Sequence, residues 1–249
     1  MNAFQELVDW LGDGSHWSGP EGIPNRLLEH IEISAVSLVV AVLIAVPAAL
    51  VLGHLRRGGF FAVNISNIGR ALPAIAVLLF AVLVFGVGDP PAVLRSIGVG
   101  SVPAFLALVA LAIPPIFTNT YTGVAEVSDE MRETARGMGM SGGQVLRRVE
   151  LPLAIPLLMA GVRTSAVAVV ATATLAAYVG WGGLGRFIID GFRVQDDARL
   201  LAGALLVALL AIVVEAALAT AQRVVTSRGL RLASDPERRR RRARVAADA

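Results

Sequence analysis

Five stretches of this chain are almost unbroken runs of apolar residues, at 33–52, 68–88, 102–123, 153–178 and 200–222, and polar or glycine-bearing connectors separate them. About 20 apolar residues in helical geometry cross the hydrocarbon layer of a bilayer, so each run predicts a membrane-spanning helix. Pro47, Pro73, Pro114, Pro115 and Pro156 lie in or beside the runs. Proline is tolerated in membrane helices where neighbours satisfy the freed carbonyls, which predicts kinks. The fold class expected is all-α: a polytopic membrane helical bundle of about five transmembrane helices.

The connector between the third and fourth runs has its own pattern. Val124, Val127, Met131, Ala135 and Met138 recur at helical spacing among charged residues, which predicts an amphipathic helix over 124–138. Gly137 and Gly139 would end it through a left-handed turn, and Ser141 would cap a second helix over 142–150. Leu151-Pro152 would stop that second helix before the fourth run, since a residue preceding proline disfavours helical geometry. The connector is thus expected to be a helix-turn-helix.

Arginine placement orients the bundle. Arg56 and Arg57 follow the first run, Arg132, Arg136, Arg147 and Arg148 follow the third, and Arg223, Arg228, Arg231 and 238–242 follow the fifth. The alternate connectors carry Arg95 alone, or Arg186, Arg193 and Arg199 offset by Asp190, Asp196 and Asp197. The positive-inside rule then puts the N-terminus outside, the C-terminus inside and the 124–152 connector in the cytoplasm. Residues 1–20 contain Glu6, Asp9 and Asp13 and no basic start, so the first run is expected to act as an uncleaved membrane signal. This divides the chain into an external segment 1–32, a transmembrane domain 33–222 and a cytoplasmic arginine-rich tail 223–249.

Composition agrees with a membrane location. Of 249 residues 55% are hydrophobic and 16% charged, and mean hydropathy is +0.69. The chain has no cysteine, which removes disulfides, thiolate metal sites and cysteine nucleophiles. His16, His30 and His54 are too scattered to suggest a metal site, and no cofactor is expected. There is no lysine and no Gly-x-x-x-x-Gly-Lys-Ser/Thr loop, so any ATP-driven work needs another chain. The glycines at 180–185 follow a membrane helix rather than a strand, which makes them a tight external turn and not a phosphate cradle.

The segment 133–152 resembles the EAA loop of ABC-transporter permeases, the element through which an ATPase subunit moves a membrane channel. Glu133, Ala135, Gly139, Val149, Leu151 and Pro152 fall at the positions of that pattern, with Thr134 replacing its first alanine and Val149 its usual isoleucine. The resemblance extends to 27–37, to 113–123 (Ile-Pro-Pro-Ile-Phe-Thr-Asn-Thr-Tyr-Thr-Gly) and to 171–177 with Gly180, Gly182, Gly183, Gly185 and Gly191. These segments are similar to permeases of the glycine betaine, choline, carnitine and proline importer family. The tail at 238–244 lies outside the pattern and suits contact with anionic lipid, a setting that speaks against nucleic acid. The resemblance implies a multi-pass permease of the cell membrane with no enzymatic activity of its own. It also implies cytoplasmic ABC ATPase subunits, a second permease subunit in a homo- or heterodimer, and an external substrate-binding protein.

Two charges sit well inside apolar runs, Arg163 and Glu215, at similar depth from the cytoplasmic side. A charge in the bilayer costs about 3 kcal/mol on insertion scales, which predicts that the two pair and pin the fourth span against the fifth. Phe117, Asn119, Tyr121 and Tyr178 could line a substrate path, although such rings also serve as packing and interface anchors. Rival readings are an ABC permease for another small polar solute or amino acid, and a stand-alone secondary transporter. The last predicts several mid-membrane carboxylates and inverted repeats, whereas Glu215 is the only acidic residue well inside a run.

Overall fold

The computed structural model describes residues 3–60, 64, 67, 69, 71–96 and 98–226. The described residues are nearly all helical. An amphipathic helix α1 (Ala3–Gly12) precedes α2 (Ile23–His54), followed by α3 (Ala74–Phe85), α4 (Val102–Ala125) and α5 (Asp129–Gly137). The chain continues as α6 (Gly142–Val179), α7 (Gly185–Val194) and α8 (Asp197–Val225). Among the described residues four helices are long and apolar enough to cross a membrane: α2, α4, α6 and α8.

The second predicted span, 68–88, differs from what is observed. Its helix α3 has 12 residues and starts after Pro73, whose ψ of 130° is extended. At about 1.5 Å per residue it is roughly 18 Å long, short of a hydrocarbon core of about 30 Å. Ile68, where that run begins, and the tail 227–249 with Arg228, Arg231, 238–242 and Arg244 lie outside the described residues.

α4 is the centre of the bundle, with α2 and α6 on its flanks, α3 beside it and α8 against α6. The close packing is written in four-residue steps. On α2 the buried positions Ile33, Ser37, Ala41, Ala45, Ala49 and Gly53 form one ridge, and on α4 so do Ala104, Leu108, Ala112, Ile116, Thr120 and Val124. Small residues along such ridges let helix backbones approach where lipid supplies no hydrophobic drive between helices. A Cβ on Gly53 would lie 2.9 Å from Val124 Cβ, so only glycine fits that contact. Gly161 plays the same part between α6 and α4, since a Cβ there would meet Pro115 O at 2.7 Å. Large apolar side chains meanwhile point outward, among them Leu43, Phe80, Leu83 and Ile212, all at least 65% exposed. Lipid, not water, is the solvent that suits those faces.

α2 begins ten residues before the predicted span. Its first turns carry Asn25, Arg26, Glu29, His30 and Glu32, and two of these reach partners on the far side of the bundle. His30 Nε2 donates to Val170 O of α6 (2.9 Å), and Glu29 Oε2 accepts from Gly183 N (2.7 Å). Tertiary contacts thus extend a helix whose apolar pattern ends earlier.

Candidate coupling and transport site

The connector between α4 and α6 folds as two helical pieces, with boundaries that differ from the sequence expectation. A single helix over 124–138 does not form. α4 runs on to Ala125, where Glu126 N still bonds to Thr122 O (3.0 Å), and a turn at Val127–Ser128 separates it from α5. Ser128 adopts the extended geometry of a helix N-cap, with Asp129 and Glu130 in the first turn where carboxylates complement the helix dipole. α5 ends at Gly137, and Gly139 takes the left-handed conformation (φ 84°). Ser141 then opens α6 in a capping box, its backbone N–H donating to Gln144 Oε1 (2.8 Å).

The second correction concerns Leu151-Pro152, which does not stop a helix. Leu146–Glu150 form a π-helical turn in which Leu151 N–H bonds to Leu146 O, and the chain then passes straight into the membrane helix. The missing N–H of Pro152 falls at the first positions of the renewed α-helix, where none is required. The piece from Ser141 onward is therefore continuous with the fourth span.

Faces of α5 divide sharply. Arg132 and Ala135 are buried against the bundle, while Met131, Glu133, Thr134, Arg136, Met138 and Gly139 are exposed. Thr134 Oγ1 bonds back to Glu130 O (2.7 Å). Val149 and Leu151 are half-buried and Pro152 exposed. The loop thus presents one polar and methionine-bearing surface and hides another.

Behind that surface lies a cluster that sequence reasoning missed. Arg132 Nη2 donates to Val124 O (2.7 Å) and Nη1 to His54 O (3.3 Å), and Nη1 lies 3.2 Å from Glu150 Oε1. Glu150 Oε2 in turn accepts from His54 Nδ1 (2.7 Å). The Glu150 side chain is fully buried and that of Arg132 is 6% exposed. Arg56 adds an exposed clasp, 2.7 Å from Asp129 Oδ1 and donating to Val127 O (3.1 Å). A weak signal was available: Arg132 stands three positions before Ala135, on the face of α5 that must pack.

In the membrane region Arg163 of α6 meets Glu215 of α8, with Nε donating to Glu215 Oε1 at 3.1 Å. Arg163 Nη1 also donates to Gln222 Oε1 (2.6 Å), and Gln222 Nε2 to Pro156 O (3.1 Å), so a polar chain ties the two helices. Phe117 is buried and stacks on half-buried Tyr121 (centroids 6.4 Å apart). Asn119 Nδ2 bonds to Pro115 O of its own helix (2.8 Å). Tyr178 is exposed at the far end of α6, in the turn preceding Gly180, and is not part of that group.

At that far end the glycine turn is packed, not open. Gly180 caps α6 in the left-handed conformation (φ 80°), and Trp181 lies over Gly100, where a Cβ would come within 1.4 Å of the indole. Glu29, also in contact with Arg26 (3.0 Å), holds Gly183 N.

Comparison with known proteins gives a consistent result. The glycine betaine/carnitine/choline transport system permease protein OpuCB of Bacillus subtilis (strain 168) is 38% identical over 202 residues, 81% of this chain and 88% of the relative. The choline transport system permease protein OpuBB of the same organism is 39% identical, covering 82% and 89%. The osmoprotectant import permease protein OsmY of Salmonella typhimurium is 34% identical, covering 76% of each chain. Among solved structures, an inward-facing MetNI methionine ABC transporter matches with a TM-score of 0.65 over 80% of this chain and 94% of its own, at 23% identity, a likeness of fold. The sequence profile described as "Binding-protein-dependent transport system inner membrane component" matches residues 39–227, from within α2 to just beyond α8. With the 124–152 connector and α4, α6 and α8 wholly inside that match, and α2 inside it from residue 39, the chain belongs to this family of membrane-embedded ABC-transporter permeases.

Proposed function

We propose that this permease imports osmoprotectants of the glycine betaine, choline, carnitine or proline type, driven by separate cytoplasmic ATPase subunits that dock on the exposed face of α5. The observation that carries the docking is the division of that helix: Glu133, Arg136, Met138 and Gly139 exposed on one side, Arg132 and Ala135 buried on the other. A short helix on a rigid turn suits a groove on a partner, and its hidden face passes displacement to the spans. The cargo rests on relatives named for glycine betaine, carnitine and choline.

The arginine distribution sets the N-terminus outside and the α5 connector in the cytoplasm, where ATP is. A second permease subunit completes the channel, an external binding protein delivers cargo, and Phe117, Asn119 and Tyr121 lie along the path. Arg163 and Glu215 pin α6 to α8, a structural role: reversing either charge should lower the yield of folded protein, and the double swap should restore it. No recovery in the swap would refute the pin.

The deciding experiment is co-purification of the chain in detergent with an osmoprotectant-type ATPase subunit. Capture by the native chain, lost in Gly139→Trp with Glu133→Arg, is the expected outcome. A folded native chain that captures no ATPase would remove the docking reading.

A further inference from the structure

Arg132 lies where the ends of α2 and α4 meet the π-helical turn of α6, and its contacts serve a different purpose from the exposed face of α5. The last carbonyls of a helix have no intrahelical partner and form the negative end of its dipole. Val124 O and His54 O lie at the ends of α4 and α2, and both accept from the one guanidinium (2.7 and 3.3 Å), Val124 O also accepting from Val127 N in the turn that follows (3.3 Å). The planar fork of arginine lets one side chain hydrogen-bond both carbonyls while Nη1 stands 3.2 Å from a carboxylate as an ion pair. The carboxylate is that of Glu150, in the π-helical turn that opens the fourth span. His54 closes the circuit, with Nδ1 on Glu150 Oε2 (2.7 Å) and its ring against the start of α6, 3.4 Å from where a Gly142 Cβ would be.

We propose that Arg132, with Glu150 and His54, is the positioning joint that locks the coupling helix to the ends of α2 and α4 and to the π-helical turn of α6, so that movement imposed on α5 displaces three spans as one body. The joint rests on the docking reading above and assigns it residues that do not touch the ATPase. One further observation favours a joint over a simple source of stability, since a buried ion pair gives little stability beyond what apolar side chains of equal volume provide. The helix ends it joins are in direct contact, with Gly53 against Val124, leaving no slack between them.

The test uses the complex of this chain with its ATPase and binding protein in proteoliposomes, for the native chain, Arg132→Gln and Arg132→Lys. Uptake of labelled glycine betaine, choline and carnitine is measured per ATP hydrolysed. In parallel, since the chain has no cysteine, spin labels at Leu43→Cys on α2 and Glu130→Cys on α5 report the distance between the helices with and without ATP. The joint predicts ATPase capture equal to native in both variants and one narrow label distance in the native chain in both states. In Arg132→Gln that distance should broaden on ATP binding, and uptake per ATP should fall at least tenfold.

Arg132→Lys keeps Glu150 neutralised but cannot reach all three partners, so it should fall between the two. It also serves as the test variant if Arg132→Gln does not accumulate. An unchanged distance and ratio in the variants, or uptake that falls only in proportion to the ATPase captured, would overturn the joint and leave the docking reading standing. Failure of the native chain to capture ATPase would overturn both. If native complex takes up none of the three solutes, the distance measurement decides alone.

Discussion

At its C-terminal end α2 is fastened by charge, with His54 and its carbonyl against Glu150 and Arg132, whereas near its N-terminal end it is fastened by shape and backbone contacts. There Glu29 accepts from Gly183 N, His30 donates to Val170 O, and Trp181 lies over Gly100. The first end joins separate elements through a carboxylate and a guanidinium that water does not reach, so its links are directional and costly to break. The second relies on glycines that let a ring and a loop approach a backbone, so it is sensitive to added volume more than to lost charge. A transporter that opens alternately to two sides gains from such a division, with one end held as a unit and the other parted without separating buried charges.

Arg132→Ala should be the most damaging way to test this contrast. It leaves Glu150 buried with only His54 beside it, a loss of about 3–5 kcal/mol, read as a lower melting midpoint of the detergent-solubilised protein. Gly100→Ala comes next, at about 1–3 kcal/mol, because its Cβ would overlap the indole of Trp181. Combining it with Trp181→Ala should return part of that loss, and no return would show that the ring is not what limits the contact. Glu29→Ala should cost about 1.5 kcal/mol, the worth of one hydrogen bond to a partly exposed carboxylate. If it cost as much as Arg132→Ala, the two ends of α2 would not differ as described. Ser141→Ala should cost about 1 kcal/mol, the value of a helix cap, and should leave the Arg132 contacts unchanged. A larger effect, or loss of ATPase capture with it, would mean the local cap and the tertiary joint are one unit.

Much of this was legible before any coordinates. Long apolar runs marked α2, α4, α6 and α8, since lipid imposes a requirement that local composition reveals. Gly139 and Ser141 stand at the turn and cap their chemistry predicts. The Pro152 expectation failed because a proline rule describes one residue and its predecessor, while the π-helical turn over Leu146–Glu150 absorbs the irregularity one turn earlier. The expected helix over 124–138 failed because α4 kept its own register to Ala125, and Val127 was needed in the turn.

Sequence by itself determined that the chain is a helical membrane protein with a polar helix-turn-helix between its third and fourth runs. It also marked Arg163 and Glu215 as charges needing partners, because a charge inside an apolar run is visible over a few residues. Other contacts were decided only by the tertiary structure: Arg132 with Glu150 and with the ends of two helices, Glu29 with Gly183, and Trp181 over Gly100. These partners are 8 to 154 residues apart and lie on different elements. No local pattern encodes such pairings, because they arise where helix ends converge in space.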